Sequence, residues 1–93
     1  MPGKLTPAEL ADAVSSLGDW EVSGDAITRT LSFPGHIEAV GFVVRVAMAA
    51  EVMDHHPDLR IVYNRVDLRL NSHDVGGVTD RDIRLATRIN ELL

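Results

Sequence analysis

Apolar residues near the start of the chain recur at helical spacing. They fall every three or four positions at Leu10, Ala13, Val14 and Leu17, which is the pattern of one buried helix face. Thr6 stands before Pro7 and three residues before Glu9, an arrangement typical of a capped helix N-terminus. Gly18 is a natural stop. The pattern therefore predicts a first helix between Thr6 and Gly18.

The next segment predicts a β-hairpin. Trp20–Val22 is a short strand candidate, and residues 23–25 supply turn chemistry. Ala26–Phe33 alternates between apolar and polar positions, as a half-buried strand does, although Arg29 interrupts its apolar side. Pro34-Gly35 ends this hairpin.

The longest predicted helix runs from His36 to about Asp54. It carries two apolar stripes, one beginning at Ile37 and the other at Phe42. Because a helix that is apolar on two sides needs two covers, we expect one stripe to meet the sheet and the other to meet a partner subunit. Pro57 disfavours helical geometry at the preceding residue and so ends this helix.

A second hairpin follows the long helix. Apolar and polar residues alternate over 59–64 and again over 66–71. Asn64-Arg65 is predicted to be the tight turn, because Asn tolerates a positive φ. The second strand is expected to end at Ser72-His73, with His73 on its polar side.

A last helix completes the chain, opened by the capping pair Thr79 and Asp82. The predicted order is α-β-β-α-β-β-α. Paired hairpins imply an α+β fold, with a four-stranded antiparallel sheet and three helices on one face. Because 93 residues are too few for two cores, residues 1–93 are predicted to form a single domain.

Charge and composition exclude several classes of function. The formal charge is −5, with 14 acidic and 9 basic residues, which disfavours nucleic-acid binding. The chain has no cysteine, so thiolate chemistry and disulfides are excluded. Its longest apolar stretch, Ala39–Ala50, is too short to span a membrane and contains Arg45. Met1–Thr6 shows no apolar signal segment, so we expect a cytoplasmic protein.

Three of the four histidines cluster around one predicted feature. His55 and His56 stand where the long helix ends, and His73 stands where the following hairpin ends. Because the two strands double back, we expect His73 to approach the pair in space. Glu51 precedes His55 by one helical turn and could orient its ring. Imidazole both gives and takes protons near neutral pH, so the cluster is a candidate site of acid–base catalysis.

Two other interpretations of the histidines stay open. Adjacent histidines after a helix are often a solvated helix end, stabilised by the helix dipole. Three imidazoles and a carboxylate could also bind zinc, although adjacent residues rarely ligate one ion and no His-x-x-x-His pair is present. The fourth histidine, His36, is expected on the surface near a helix start.

The chain resembles the family of pterin-4a-carbinolamine dehydratases from about Leu5 to Leu93, most closely over 26–82. The positions that carry the resemblance, in fixed register, are Glu51, His55, His56, Pro57, Tyr63, His73 and Asp82. Leu59 and Val78 depart from the family pattern, in which tryptophan and leucine respectively are usual. Neither departure removes a proton-transfer group.

The resemblance implies a reaction: water is eliminated from 4a-hydroxytetrahydropterin to give quinonoid dihydropterin, which recycles the cofactor of aromatic amino-acid hydroxylases. It implies no metal and no organic cofactor. It also implies a homodimer or homotetramer. A second, non-catalytic role is implied as well, because some members of the family act as dimerisation cofactors of a transcription factor or as assembly factors.

The resemblance also suggests a role for each site residue. His55 and His73 are expected to be the acid–base pair. His56 is expected to bind the pterin and to share in proton transfer. Three supporting residues have expected roles as well. Glu51 is expected to orient His55, and Asp82 is expected to hold the neighbouring loop or His73. Pro57 is expected to set the angle at which the chain leaves the helix.

Overall fold

Three helices lie on one face of a four-stranded antiparallel sheet in the computed structural model, which describes residues 3–93. In chain order the elements are α1 (Pro7–Leu17), β1 (Glu21–Ser23), β2 (Ala26–Ser32), α2 (His36–Met53), β3 (Asp58–Val62), β4 (Arg65–Leu70) and α3 (Asp80–Glu91). The predicted fold class and element order are thereby confirmed. Met1 and Pro2, the first residues of the segment expected to carry no signal sequence, lie outside the described residues.

The sheet has the strand order β1-β2-β4-β3, so the last strand in sequence lies inside the sheet. Ile27 of β2 pairs with Leu70 of β4, and Leu59 of β3 pairs with Leu68 of β4. Side chains alternate between the two faces of a strand. This register therefore gathers the apolar residues of three strands on one face, where the helices cover them.

The core is one cluster of buried side chains between the sheet and the helices. The α2 stripe that begins at Phe42 faces this core, since Phe42 and Val46 are fully buried. Leu85 and Ile89 of α3 are buried beside it. The second α2 stripe, which begins at Ile37, is exposed on this chain. The partner subunit expected on that side stays a prediction.

Both predicted helix caps are present. The Thr6 backbone N–H donates to Glu9 Oε1 over 2.8 Å, which closes a capping box on α1. The Thr79 backbone N–H donates to Asp82 Oδ2 over 2.9 Å, which closes another on α3. Each box satisfies N–H groups that the first turn of a helix leaves without partners.

The predicted turn of the second hairpin is wrong by one residue. Val62 pairs with Arg65, so the turn is Tyr63-Asn64, and Tyr63 rather than Asn64 has the positive φ of 52°. Asn64 is held by a reciprocal pair of bonds to Phe33, one from its side-chain amide and one to its carbonyl. Asn64 is thereby tied to Phe33, and the left-handed conformation falls on Tyr63.

The predicted end of the fourth strand is also wrong. β4 ends at Leu70, and a six-residue turn closed by a bridge between Ser72 and Gly77 follows it. Gly76 has a φ of 65°, which glycine adopts without a steric cost. His73 therefore lies in this turn and not on the polar side of a strand.

Candidate active site

His55 occupies a sharp change of direction at the end of α2. Asp54 takes the left-handed conformation with a φ of 50°, and the His55 N–H donates to the carbonyl of Ala50 over 3.1 Å. The chain thus turns off the helix axis immediately before the two histidines. As a result the His55 side chain is 10% exposed, whereas that of His56 is 56% exposed.

Asp82 provides the buried partner of His55. Its side chain is fully buried, and one carboxylate oxygen lies 2.5 Å from Nε2 of His55. The other oxygen accepts hydrogen bonds from the Ser72 hydroxyl and the Thr79 backbone N–H, each over 2.9 Å. A buried carboxylate needs such partners to offset the loss of water. Three elements therefore converge on one acidic group.

The contact with Asp82 assigns different tasks to the two ring nitrogens of His55. When Asp82 is ionised, its carboxylate only accepts hydrogen bonds, so the Nε2–H group of His55 is the donor in this contact. In the neutral ring, Nδ1 then holds the lone pair. Such a contact fixes the tautomer and the ring orientation of a histidine.

Glu51 contacts a different histidine from the one expected. Its Oε1 lies 2.8 Å from Nε2 of His56, and both side chains are largely exposed. The prediction that Glu51 orients His55 is wrong, because the left-handed Asp54 rotates His55 away from the helix face that carries Glu51. Exposed ion pairs of this kind contribute little to stability.

The three histidines open onto the same cleft, which has a volume of about 590 Å³. Its lining residues are Asp54, His55, His56, Pro57, Asp58, Asn71, His73, Asp74 and Arg81. His73 reaches the cleft from the turn after β4. His55 and His56 reach it from the end of α2, directly before Pro57. Asp82 lies beneath this cleft and holds the turn of His73 through Ser72, while its direct contact is with His55. The bend and the turn thus bring together residues that are far apart in sequence.

Tyr63, the remaining position of the resemblance, lies elsewhere. Its side chain is at the turn of the second hairpin, is 67% exposed, and stacks on the ring of His36. The His36 ring nitrogen Nδ1 lies 2.7 Å from the Tyr63 carbonyl. These two residues therefore form a separate surface contact.

Sequence reasoning missed the roles of three residues near the cleft. Arg81 Nη2 donates to Asp74 Oδ1 over 2.6 Å. This hydrogen bond, more than any other influence, lowers the pKa of Asp74 from its ordinary 3.8. Ser72, directly before His73, is buried and bonds to Asp82. Its place beside a candidate histidine was the only signal in the sequence.

Two further features are absent from residues 3–93. In that range, no group of three or more His, Cys, Asp or Glu side chains is arranged to hold a metal ion. Nor does any helix there have the length and apolar character needed to cross a membrane.

Fold and cleft together define an α+β protein in which three histidines share one cleft and a buried carboxylate contacts one of them. Residues 3–92 match the family described as pterin 4 alpha carbinolamine dehydratase. The chain belongs to this family and, with it, to the hydro-lyases. The resemblance noted in the sequence is confirmed.

Similar proteins cover the chain almost completely. A protein of Koribacter versatilis with the provisional name pterin-4-alpha-carbinolamine dehydratase is 52% identical over 92 residues, which are 99% of this chain and 98% of that one. A protein of Sulfurisphaera tokodaii with the same provisional name is 42% identical over 90 residues, 97% of each chain.

Two solved structures resemble this one. A crystal structure from Brucella melitensis, described as a transcriptional coactivator/pterin dehydratase, has a TM-score of 0.92 at 40% identity and covers 97% of this chain and 98% of its own. A pterin dehydratase-like protein, identified as a RuBisCO assembly factor in the alpha-carboxysome, has a TM-score of 0.64 at 16% identity. It covers 78% of this chain and 84% of its own, and it shows the shared fold alone.

Proposed function

We propose that this chain eliminates water from a 4a-hydroxytetrahydropterin and releases quinonoid dihydropterin in the cytoplasm. The observation that carries the proposal is the cleft shared by His55, His56 and His73, together with the buried Asp82 carboxylate that contacts the His55 ring from below the cleft. The names of the relatives support the substrate class.

The reaction needs one acid and one base. The C4a–O bond breaks, N5 loses its proton, and a C4a=N5 double bond forms as water leaves. Because hydroxide is a poor leaving group, an acid must protonate the oxygen while a base removes the N5 proton. Each positioned proton transfer of this kind contributes about 10²–10⁴ in rate.

We assign the base to His55 and the acid to His73. His55 donates to Asp82 from Nε2, so its Nδ1 is free to take the proton from N5. His73 reaches the cleft from the opposite segment and is exposed, so it can be protonated again from solvent after each turnover. His56, exposed and paired with Glu51, contacts the bound pterin and assists proton transfer, while Pro57 sets the direction of the pair.

Rapid spectroscopy on freshly generated 4a-hydroxytetrahydropterin tests this function. We expect faster formation of the quinonoid product at catalytic protein concentrations. His73→Ala should abolish most of that turnover and leave the circular dichroism spectrum unchanged. His36→Ala, which removes an exposed histidine outside the cleft lining, is the matched control and should retain full turnover.

Two results would contradict this assignment. If the wild-type protein leaves the decay rate of 4a-hydroxytetrahydropterin unchanged, the non-catalytic interaction role is favoured instead. Near-normal turnover by a folded His73→Ala variant would remove His73 from the mechanism.

We further propose that the chain forms a homodimer or homotetramer. Along the outer side of α2, Ile37, Val44, Met48 and Val52 are between 47% and 89% exposed, and a group of exposed large apolar side chains on one helix face is typical of an interface. Val52→Asp should lower the mass measured by sedimentation equilibrium. Ala11→Asp on the exposed side of α1 should not, and an unchanged mass for both variants would exclude this face.

A further inference from the structure

Ser72 is buried between the elements that carry the two proposed catalytic histidines. Its side chain is 1% exposed, and its hydroxyl donates to Asp82 Oδ2 over 2.9 Å. A hydroxyl has a single proton but two lone pairs. The Thr79 hydroxyl, 2.7 Å away, must therefore donate to Ser72. The hydrogen bonds thus run from Thr79 through Ser72 to Asp82, which also accepts from His55 on its other oxygen.

The backbone of the same serine holds the turn that carries His73. The Ser72 N–H donates to the carbonyl of Gly77 over 2.8 Å. The Ser72 carbonyl accepts from the N–H groups of Val75 and Gly76 over 3.1 and 3.0 Å. His73 is the next residue in the chain, so its position depends directly on where Ser72 is anchored.

We propose that Ser72 is a positioning residue that couples the two halves of the site. Its hydroxyl holds the Asp82 carboxylate in the orientation that bonds Nε2 of His55, and its backbone fixes His73 across the cleft. The inference rests on the proposed function only for its effect on turnover. The effect on the His55 ring can be measured without any substrate.

Removing the hydroxyl has a defined consequence. In Ser72→Ala, Asp82 Oδ2 keeps the Thr79 backbone N–H but loses the hydroxyl that completes its hydrogen bonding. The Thr79 hydroxyl also loses its acceptor. The carboxylate can then rotate to accept from Thr79, which loosens its contact with His55. Ser72→Thr retains a hydroxyl at the same atom and should preserve the contact.

The experiment compares Ser72→Ala and Ser72→Thr, with Ser15→Ala as the control that removes an exposed serine on α1. We expect kcat of the alanine variant to fall about ten- to a hundred-fold with KM changed by less than about twofold. In ¹⁵N spectra of the free protein, the share of the His55 tautomer protonated at Nε2 should fall as well. The threonine variant should recover most of both values, and the control should match wild type. If the alanine variant does not fold, Ser72→Cys replaces it, because a thiol keeps the volume and donates weakly.

Several results would overturn the inference. One is a folded alanine or cysteine variant with wild-type kcat and an unchanged His55 tautomer. Another is a threonine variant as impaired as the alanine one, which would show that the hydroxyl is not the group that matters. A third combination separates the two proposals. If the wild-type protein is inactive but Ser72→Ala still shifts the His55 tautomer, the proposed function is refuted and the coupling is supported.

Discussion

Replacing Asp82 by asparagine tests the central contact of the site with almost no change in shape. The side-chain carbonyl of an asparagine can still accept from the Ser72 hydroxyl and the Thr79 N–H. Its amide, however, presents N–H donors to Nε2 of His55. That nitrogen must then become an acceptor, which moves the ring proton to Nδ1. The atom proposed to accept the substrate proton is thereby occupied.

The expected magnitudes follow from these contacts. Loss of one positioned proton acceptor lowers kcat by about 10²–10⁴. The three hydrogen bonds to Asp82 also lose their charge assistance, at about 1 kcal/mol each. The neutral amide is cheaper to bury, which offsets part of that loss. We therefore expect the free energy of unfolding to fall by about 1–3 kcal/mol, and the variant to stay folded.

Stopped-flow turnover and urea unfolding measure the two effects separately. Asp80→Asn is the matched control, because Asp80 lies in the same first turn of α3 but is exposed and pairs only weakly with Arg84. It should keep turnover and stability within error of wild type. An Asp82→Asn variant with wild-type kcat would refute the argument that the His55 tautomer governs the reaction.

Three further predictions concern stability and titration. Phe42→Ala should lower the free energy of unfolding by about 3–5 kcal/mol, because its ring is fully buried; a loss below about 1 kcal/mol in urea would contradict the packing described. Arg81→Gln should raise the pKa of Asp74 toward 3.8, since Arg81 lowers it, and ¹³C carboxyl titration measures this. Because the Asp74 pKa is lowered in the folded chain, the stability from this pair is present above the ordinary pKa and is lost as pH falls through the lower value. The advantage of wild type over Arg81→Gln should therefore vanish in acid. Glu51→Gln should cost less than about 1 kcal/mol in urea unfolding, because the pair with His56 is exposed.

Local features of the chain were predictable because their causes are local. Alternation of apolar and polar residues defines the strands, and the capping pairs define where α1 and α3 begin. The error at the second turn arose where a distant residue intervenes, as Phe33 does at Asn64, and the error at the end of β4 arose where a turn closed by the Ser72–Gly77 bridge replaces the strand. Periodicity carries no information about such contacts.

The sequence by itself determined that three histidines stand at the end of one helix and at the end of the hairpin that follows it. It therefore determined that their side chains could lie close together. Only the tertiary structure decided which carboxylate contacts which histidine. Helical spacing pointed to Glu51 for His55, but the left-handed turn at Asp54 directs His55 inward and leaves Glu51 to His56. The inward ring meets Asp82, 27 residues away in sequence, in the first turn of α3, a helix that contacts α2. A buried carboxylate requires partners from several segments at once, and only the folded chain can bring those segments together.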